Sequence, residues 1–188
     1  MRLLTGVILQ GINGIAAVHM QDVGLDKAFV TSILSIASLS LAGFKFITGF
    51  LYDRLGLRFT SNICSFAAAG VMIALAGVTN SSFGIFLSVI YAVFSGLALP
   101  LETIMLPIYA GDLFGQRSYN KILGIFVSVN TAGYALGSPL ANLVFDLLGS
   151  YKTAIIFSGV LMVCVIICMQ LVISAAHREI KKIEETEI

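Results

Sequence analysis

Residues 49–58, Gly-Phe-Leu-Tyr-Asp-Arg-Leu-Gly-Leu-Arg, close one long apolar run, 28–51, and lead into another, 59–78. Asp53, Arg54 and Arg58 cannot lie in hydrocarbon without a large cost, so this stretch marks a membrane edge. Gly49 and Gly56 permit the close backbone approach and unusual φ that so short a turn needs. Two apolar runs meeting at a charged turn predict an antiparallel pair of spanning helices. The same pattern recurs along the chain, with runs at 3–20, 28–51, 59–78, 83–110, 122–145 and 153–174. Apart from the longer 83–110, each is close to the roughly 20 residues that cross a hydrocarbon core of about 30 Å. The chain is 58 % hydrophobic and only 11 % charged, with a mean hydropathy of +0.99 over 188 residues. A soluble core cannot hide that much apolar surface. The expectation is an all-α membrane protein: one six-helix transmembrane bundle over 1–175 and a charged cytoplasmic tail over 176–188.

Lysine and arginine in the short connections set the orientation. Arg2, Arg54, Arg58, Arg117, Lys121, Arg178, Lys181 and Lys182 fall on one side; only Lys27 and Lys152 fall on the other. Both termini are therefore expected in the cytoplasm of a multi-pass protein of the cell membrane. The first run carries Gln10 and Asn13 in its middle and is followed at once by further spans, unlike a cleaved signal peptide. Gly133 and Gly137 form a GxxxG in the fifth run, a pattern that lets a neighbouring helix approach closely. Cys64, Cys164 and Cys168 all lie inside apolar runs, where packing explains them best. The net charge of +1 gives no footing for nucleic acid.

The pattern G-x-L-x-D-R-x-G-x-R of residues 49–58 resembles the signature loop of the major facilitator superfamily of secondary transporters. There it joins the second and third helices of each six-helix half. The segments LFGQRSYNKILG, ALGSP and DLLGSY resemble the last three helices of monocarboxylate and oxalate–formate type transporters in that superfamily. The resemblance covers 3–173 and matches the carboxyl-terminal six helices of a twelve-helix transporter. It implies a substrate cavity between two bundles near the midplane, with alternating access by rocking of one against the other. It also implies a partner for this chain, an amino-terminal six-helix half or a second copy. The expected partners are then the lipid bilayer, that second bundle and a small organic anion.

An ionisable residue inside a span costs about 2.5–3.5 kcal/mol on insertion scales and is a functional candidate for that reason. Lys45 lies seven residues before Tyr52, about 10 Å inside the boundary. One reading is a snorkelling lysine; the other is a cation that binds an anionic substrate. The resemblance implies the second, because monocarboxylate-type members place an arginine four residues before the glycine matched by Gly49. Lysine keeps the charge at that spacing but offers a point charge instead of a two-pronged grip on a carboxylate. Oxalate-type members carry a further cation in the fifth span, where this chain has Asn130 and Tyr134. That difference favours a monocarboxylate over a dicarboxylate.

Glu102 lies between Pro100 and Pro107 at about 15 Å depth. It is either a structural carboxylate or a site that takes up a proton when its surroundings dry out. Gln10, Asn13, Asn130 and Tyr134 are candidates to line the cavity; glue between helices is the alternative. In the family the carboxylate at Asp53 gates, so Gly49, Asp53, Arg54, Gly56 and Arg58 are assigned to gating and structure. No H-E-x-x-H zinc motif is present, and Ser95-Gly96 lacks the context of an intramembrane serine protease. No enzymatic activity, metal or cofactor is expected. A non-transporting membrane subunit, or a truncated remnant of a transporter, shares all these features with a carrier half.

Overall fold

The computed structural model describes the backbone of residues 2–186 and the side chains of residues 4–172 and Ser174. Its helices are α1 (Arg2–Asp22), α2 (Lys27–Ala76), α3 (Ser82–Ala98), α4 (Pro100–Thr103), α5 (Met105–Leu148) and α6 (Tyr151–Thr186). Among the described residues there is no strand. Helix satisfies every backbone N–H and C=O within the segment, which hydrocarbon demands.

Three stretches are long and apolar enough to cross a membrane: Lys27–Ala76, Ser82–Leu148 and Tyr151–Val172. The first has 50 residues, about 75 Å at the α-helical rise and more than twice the hydrocarbon thickness. It does not run straight. Gly56, at φ 75° and ψ 175°, breaks it into arms 27–55 and 57–76. Thr48 and Cys64 stand equally far from Gly56 on opposite sides, and their side chains meet, so the arms fold back on each other. Gly115, at φ 71° and ψ 170°, does the same to α5. The rings of Phe114 and Phe126 meet across that break edge to face, 5.9 Å apart.

Capping residues set the remaining ends. The Asp26 carboxylate accepts from the backbone N–H groups of Ala28 and Phe29 at the start of α2. Ser81 does the same for Gly84 at the start of α3. Gly149 closes α5 in the left-handed conformation, its N–H donating to the Phe145 carbonyl. Such caps satisfy the orphan groups of a helix end.

The 83–110 run is interrupted. Pro100 has no N–H to donate back into the helix, and α3 ends at Ala98, two residues before it. A four-residue turn, α4, intervenes before α5 begins at Met105. Pro139, by contrast, sits within α5 without ending it. The loop expected at 111–121 shrinks to the single glycine break at 115. The helix of α6 continues to Thr186, through most of the 176–188 tail; residues 187–188 lie outside the described residues.

Two close approaches set the packing. α1 lies on α5, where a Cβ on Gly137 would stand 2.6 Å from the Gly11 nitrogen and 2.7 Å from the Val7 carbonyl oxygen. α3 lies on the first arm of α2, where a Cβ on Gly96 would stand 2.5 Å from the Ser40 carbonyl carbon. The outward faces are apolar: Phe46 is 83 % exposed, Leu39 76 % and Ile73 73 %. Contiguous apolar surface of this kind is stable against lipid and not against water.

Candidate functional site

Buried polar side chains come from α1, both arms of α2, α3, α4 and α5. Glu102, on the short α4 turn, is 3 % exposed, and Asn130 of α5 is 5 % exposed. Tyr134, one helical turn beyond Asn130, meets both. A phenol and an amide thus stand near a buried acid, polar neighbours where hydration has been lost. Asn130 also abuts α1, where a Cβ on Gly6 would stand 2.6 Å from the Asn130 carbonyl oxygen. The Asn130 Oδ1 is buried with no hydrogen-bond partner among the described residues.

The other candidates stand apart from this cluster. Lys45 is half-buried on the first arm of α2, and Gln10 is half-buried on α1. Asn13 is exposed and borders a cavity of about 20 Å³ shared with Tyr91 and Ser95 of α3 and with Val71 and Met72 of α2. That volume is enough for about one water molecule. Thus Asn130, Tyr134 and Glu102 are brought together, while Asn13 borders a different space.

At the charged turn, Asp53, Arg54 and Arg58 are exposed. The Arg54 guanidinium lies 4.7 Å from the centre of the Phe50 ring, a cation–π contact worth about 0.5–1 kcal/mol at an exposed site. Gly56 takes the break. Gly49 lies within helix, with nothing within 4 Å of where a Cβ would stand, so the close approach expected there is absent among the described residues.

Residues that motif reading passed over also matter here. The Tyr52 hydroxyl donates to both carboxylate oxygens of Asp112, each at 2.9 Å. Partial burial, then the Asp112 carboxylate, push the Tyr52 hydroxyl up from its ordinary 10.0 to about 12. A signal existed in the sequence: Asp-x-x-Gly-x-Arg occurs at 53–58 and again at 112–117. His19, near the end of α1, is 2 % exposed, with its Nε2 3.1 Å from the Leu75 carbonyl oxygen. Tyr109 bonds Ser61, and the Gln170 amide donates to Asn62, tying α5 and α6 to the second arm of α2.

The family model of the Major Facilitator Superfamily matches residues 1–187. The chain is similar to monocarboxylate transporter 13 of Bos taurus, at 27 % identity over 163 residues, covering 82 % of this chain and 35 % of that protein. Monocarboxylate transporter 13 of Rattus norvegicus gives the same figures. Monocarboxylate transporter 12-B of Danio rerio is 26 % identical over 145 residues, 73 % of this chain and 29 % of that protein. The chain thus spans about a third of the length of the curated relatives it matches. No solved structure matches it.

Proposed function

The chain belongs to the major facilitator superfamily, and on that premise we propose that it moves small organic anions of the monocarboxylate kind as the carboxyl-terminal half of a secondary transporter. In this reading the bundle over 1–175 has six spans. They are α1, the two arms of α2, the interrupted helix from α3 to residue 114, the second arm of α5, and α6. The two glycine breaks and both termini lie on the cytoplasmic side of the cell membrane, as the excess of lysine and arginine there favours. The anion sits between this bundle and a partner, an amino-terminal half or a second copy, and rocking of the two alternates its access. The relatives' names and the share of their length that the chain matches support the reading.

The observation that carries it is Lys45, a full charge half-buried in an apolar arm. It stands seven residues before Tyr52, about 10 Å inside the cytoplasmic boundary. An anion entering a partly dehydrated cavity loses hydration, and a fixed cation offsets that loss. Gln10 and Asn13 of α1, and Asn130 and Tyr134 of α5, line the anion's path. Glu102 takes up the coupling proton, since it is an acid buried in the bundle with Tyr134 beside it. Gly49, Asp53, Arg54, Gly56 and Arg58 serve gating.

The test is uptake and binding of a labelled small monocarboxylate by the complete assembly in vesicles. Lys45→Gln is expected to lose binding while the protein remains in the membrane, and Lys45→Arg to retain it. Wild-type affinity in Lys45→Gln would sink the anion site. Absence of saturable uptake by the wild-type assembly would favour a non-transporting subunit.

A further inference from the structure

The two charged turns share more than their sequence pattern. Asp53-x-x-Gly56-x-Arg58 and Asp112-x-x-Gly115-x-Arg117 each place their glycine in nearly the same conformation, φ 75° and ψ 175° against φ 71° and ψ 170°. That combination of positive φ and extended ψ is essentially open to glycine alone. Each glycine is therefore the joint at which a long apolar helix reverses. Neither joint is gripped where it bends: nothing lies within 4 Å of a Cβ built on Gly56 or on Gly115. Apart from contacts between their own arms, such as Phe114 against Phe126, two joints with open space at the bend would be left to themselves.

They are not left to themselves. Tyr52 lies one turn before the first joint and Asp112 one turn before the second. The Tyr52 hydroxyl donates to both Asp112 oxygens at 2.9 Å, across 60 residues of chain. A neutral phenol on a carboxylate is a charge-assisted bond. It gains directional strength without placing a second charge at the membrane edge. Asp53, Arg54, Arg58 and Arg117 around it are all exposed.

We propose that Tyr52 and Asp112 form a latch that couples the two glycine joints. The latch makes the end of the first α2 arm (27–55) and the short first arm of α5 (105–114) swing as one body. It is a positioning device: it sets the relative freedom of two hinges and touches no anion. It requires neither Lys45 nor a substrate, so it stands or falls separately from the transport reading.

The experiment uses the full chain in lipid nanodiscs, with Cys64, Cys164 and Cys168 replaced. Spin labels go on cysteines introduced at Leu55 and Gln116, both exposed. With Tyr52 and Asp112 intact, pulsed electron resonance should give one narrow distance distribution between the two joints. Tyr52→Phe removes a single oxygen and is expected to cost that narrow peak while helix content stays at the wild-type level. Asp112→Ala should give the same broadening, and the double variant no more than either single one. A distribution as narrow in Tyr52→Phe as in wild type would overturn the latch. So would additive broadening in the double variant, because two residues acting through one bond cannot add.

Discussion

Gly137→Ala is the smallest change that tests how this bundle is held together. The added Cβ would stand 2.6 Å from the Gly11 nitrogen and 2.7 Å from the Val7 carbonyl oxygen. Both are backbone atoms of α1, so no side chain can rotate away. An ordinary carbon contact needs about 3.5–4.0 Å, and the two helices must separate by about 1 Å to provide it. Separation loosens the interface elsewhere, because Gly11 itself lies against Gly137 and Gly6 against Asn130. Overpacking of this kind costs about 1–3 kcal/mol. Alanine recovers up to about 1 kcal/mol of helix propensity over glycine, leaving a net loss of up to about 2 kcal/mol. Gly124→Ala on the same helix is the control, since nothing lies within 4 Å of its Cβ position and only the propensity gain applies. The assay is reversible unfolding of the purified chain in mixed micelles with increasing denaturing detergent. Gly137→Ala should unfold earlier than wild type, and Gly124→Ala at the same point or later. Equal or greater stability of Gly137→Ala relative to Gly124→Ala would refute the argument that α1 and α5 meet backbone to backbone.

Two further outcomes are expected, beside the tests of Lys45 and of the latch. The Tyr52 hydroxyl is raised from 10.0 to about 12 in the folded chain, so folding favours its protonated form. That contribution is fully present below pH 10 and is lost as pH rises through 12. Wild type should therefore lose more stability than Tyr52→Phe between those two values, and parallel pH profiles would show that the bond contributes nothing. Impermeant thiol reagents applied outside intact cells should label a cysteine beside Lys27 or Lys152 and spare one beside Arg117; labelling of the 117 site would reverse the proposed orientation.

Hydropathy is a local property, and what depends on it was legible residue by residue. The apolar runs became helices, and the charged stretch at 49–58 became a reversal with Gly56 at its break, because only glycine adopts that conformation without strain. Pro100 announced an interruption for the same local reason, a missing N–H, although the length of the resulting α4 turn was not readable. The second reversal was half-written. Its Asp-x-x-Gly-x-Arg pattern repeats the first, but its surroundings, Phe114-Gly115-Gln116, read as an ordinary loop until the backbone of Gly115 matched that of Gly56.

Contacts between distant residues were decided by packing alone. The spacing of Gly133 and Gly137 announces a helix that admits a close neighbour, yet nothing in the spacing says that α1 is that neighbour. Glu102, Asn130 and Tyr134 each looked like a lone polar residue in an apolar run; the close seating of α4 on α5 made them one cluster. His19 sits near a helix end and so reads as a boundary residue, but the end of α2 covers it and supplies the Leu75 carbonyl. Tyr52 and Asp112 meet only because two glycine joints bring helix ends 60 residues apart to one place. A one-dimensional pattern records where a chain prefers lipid, water or a turn. Which helix lies against which depends on how surfaces of small and large side chains fit in three dimensions, and that fit belongs to no single stretch of the chain.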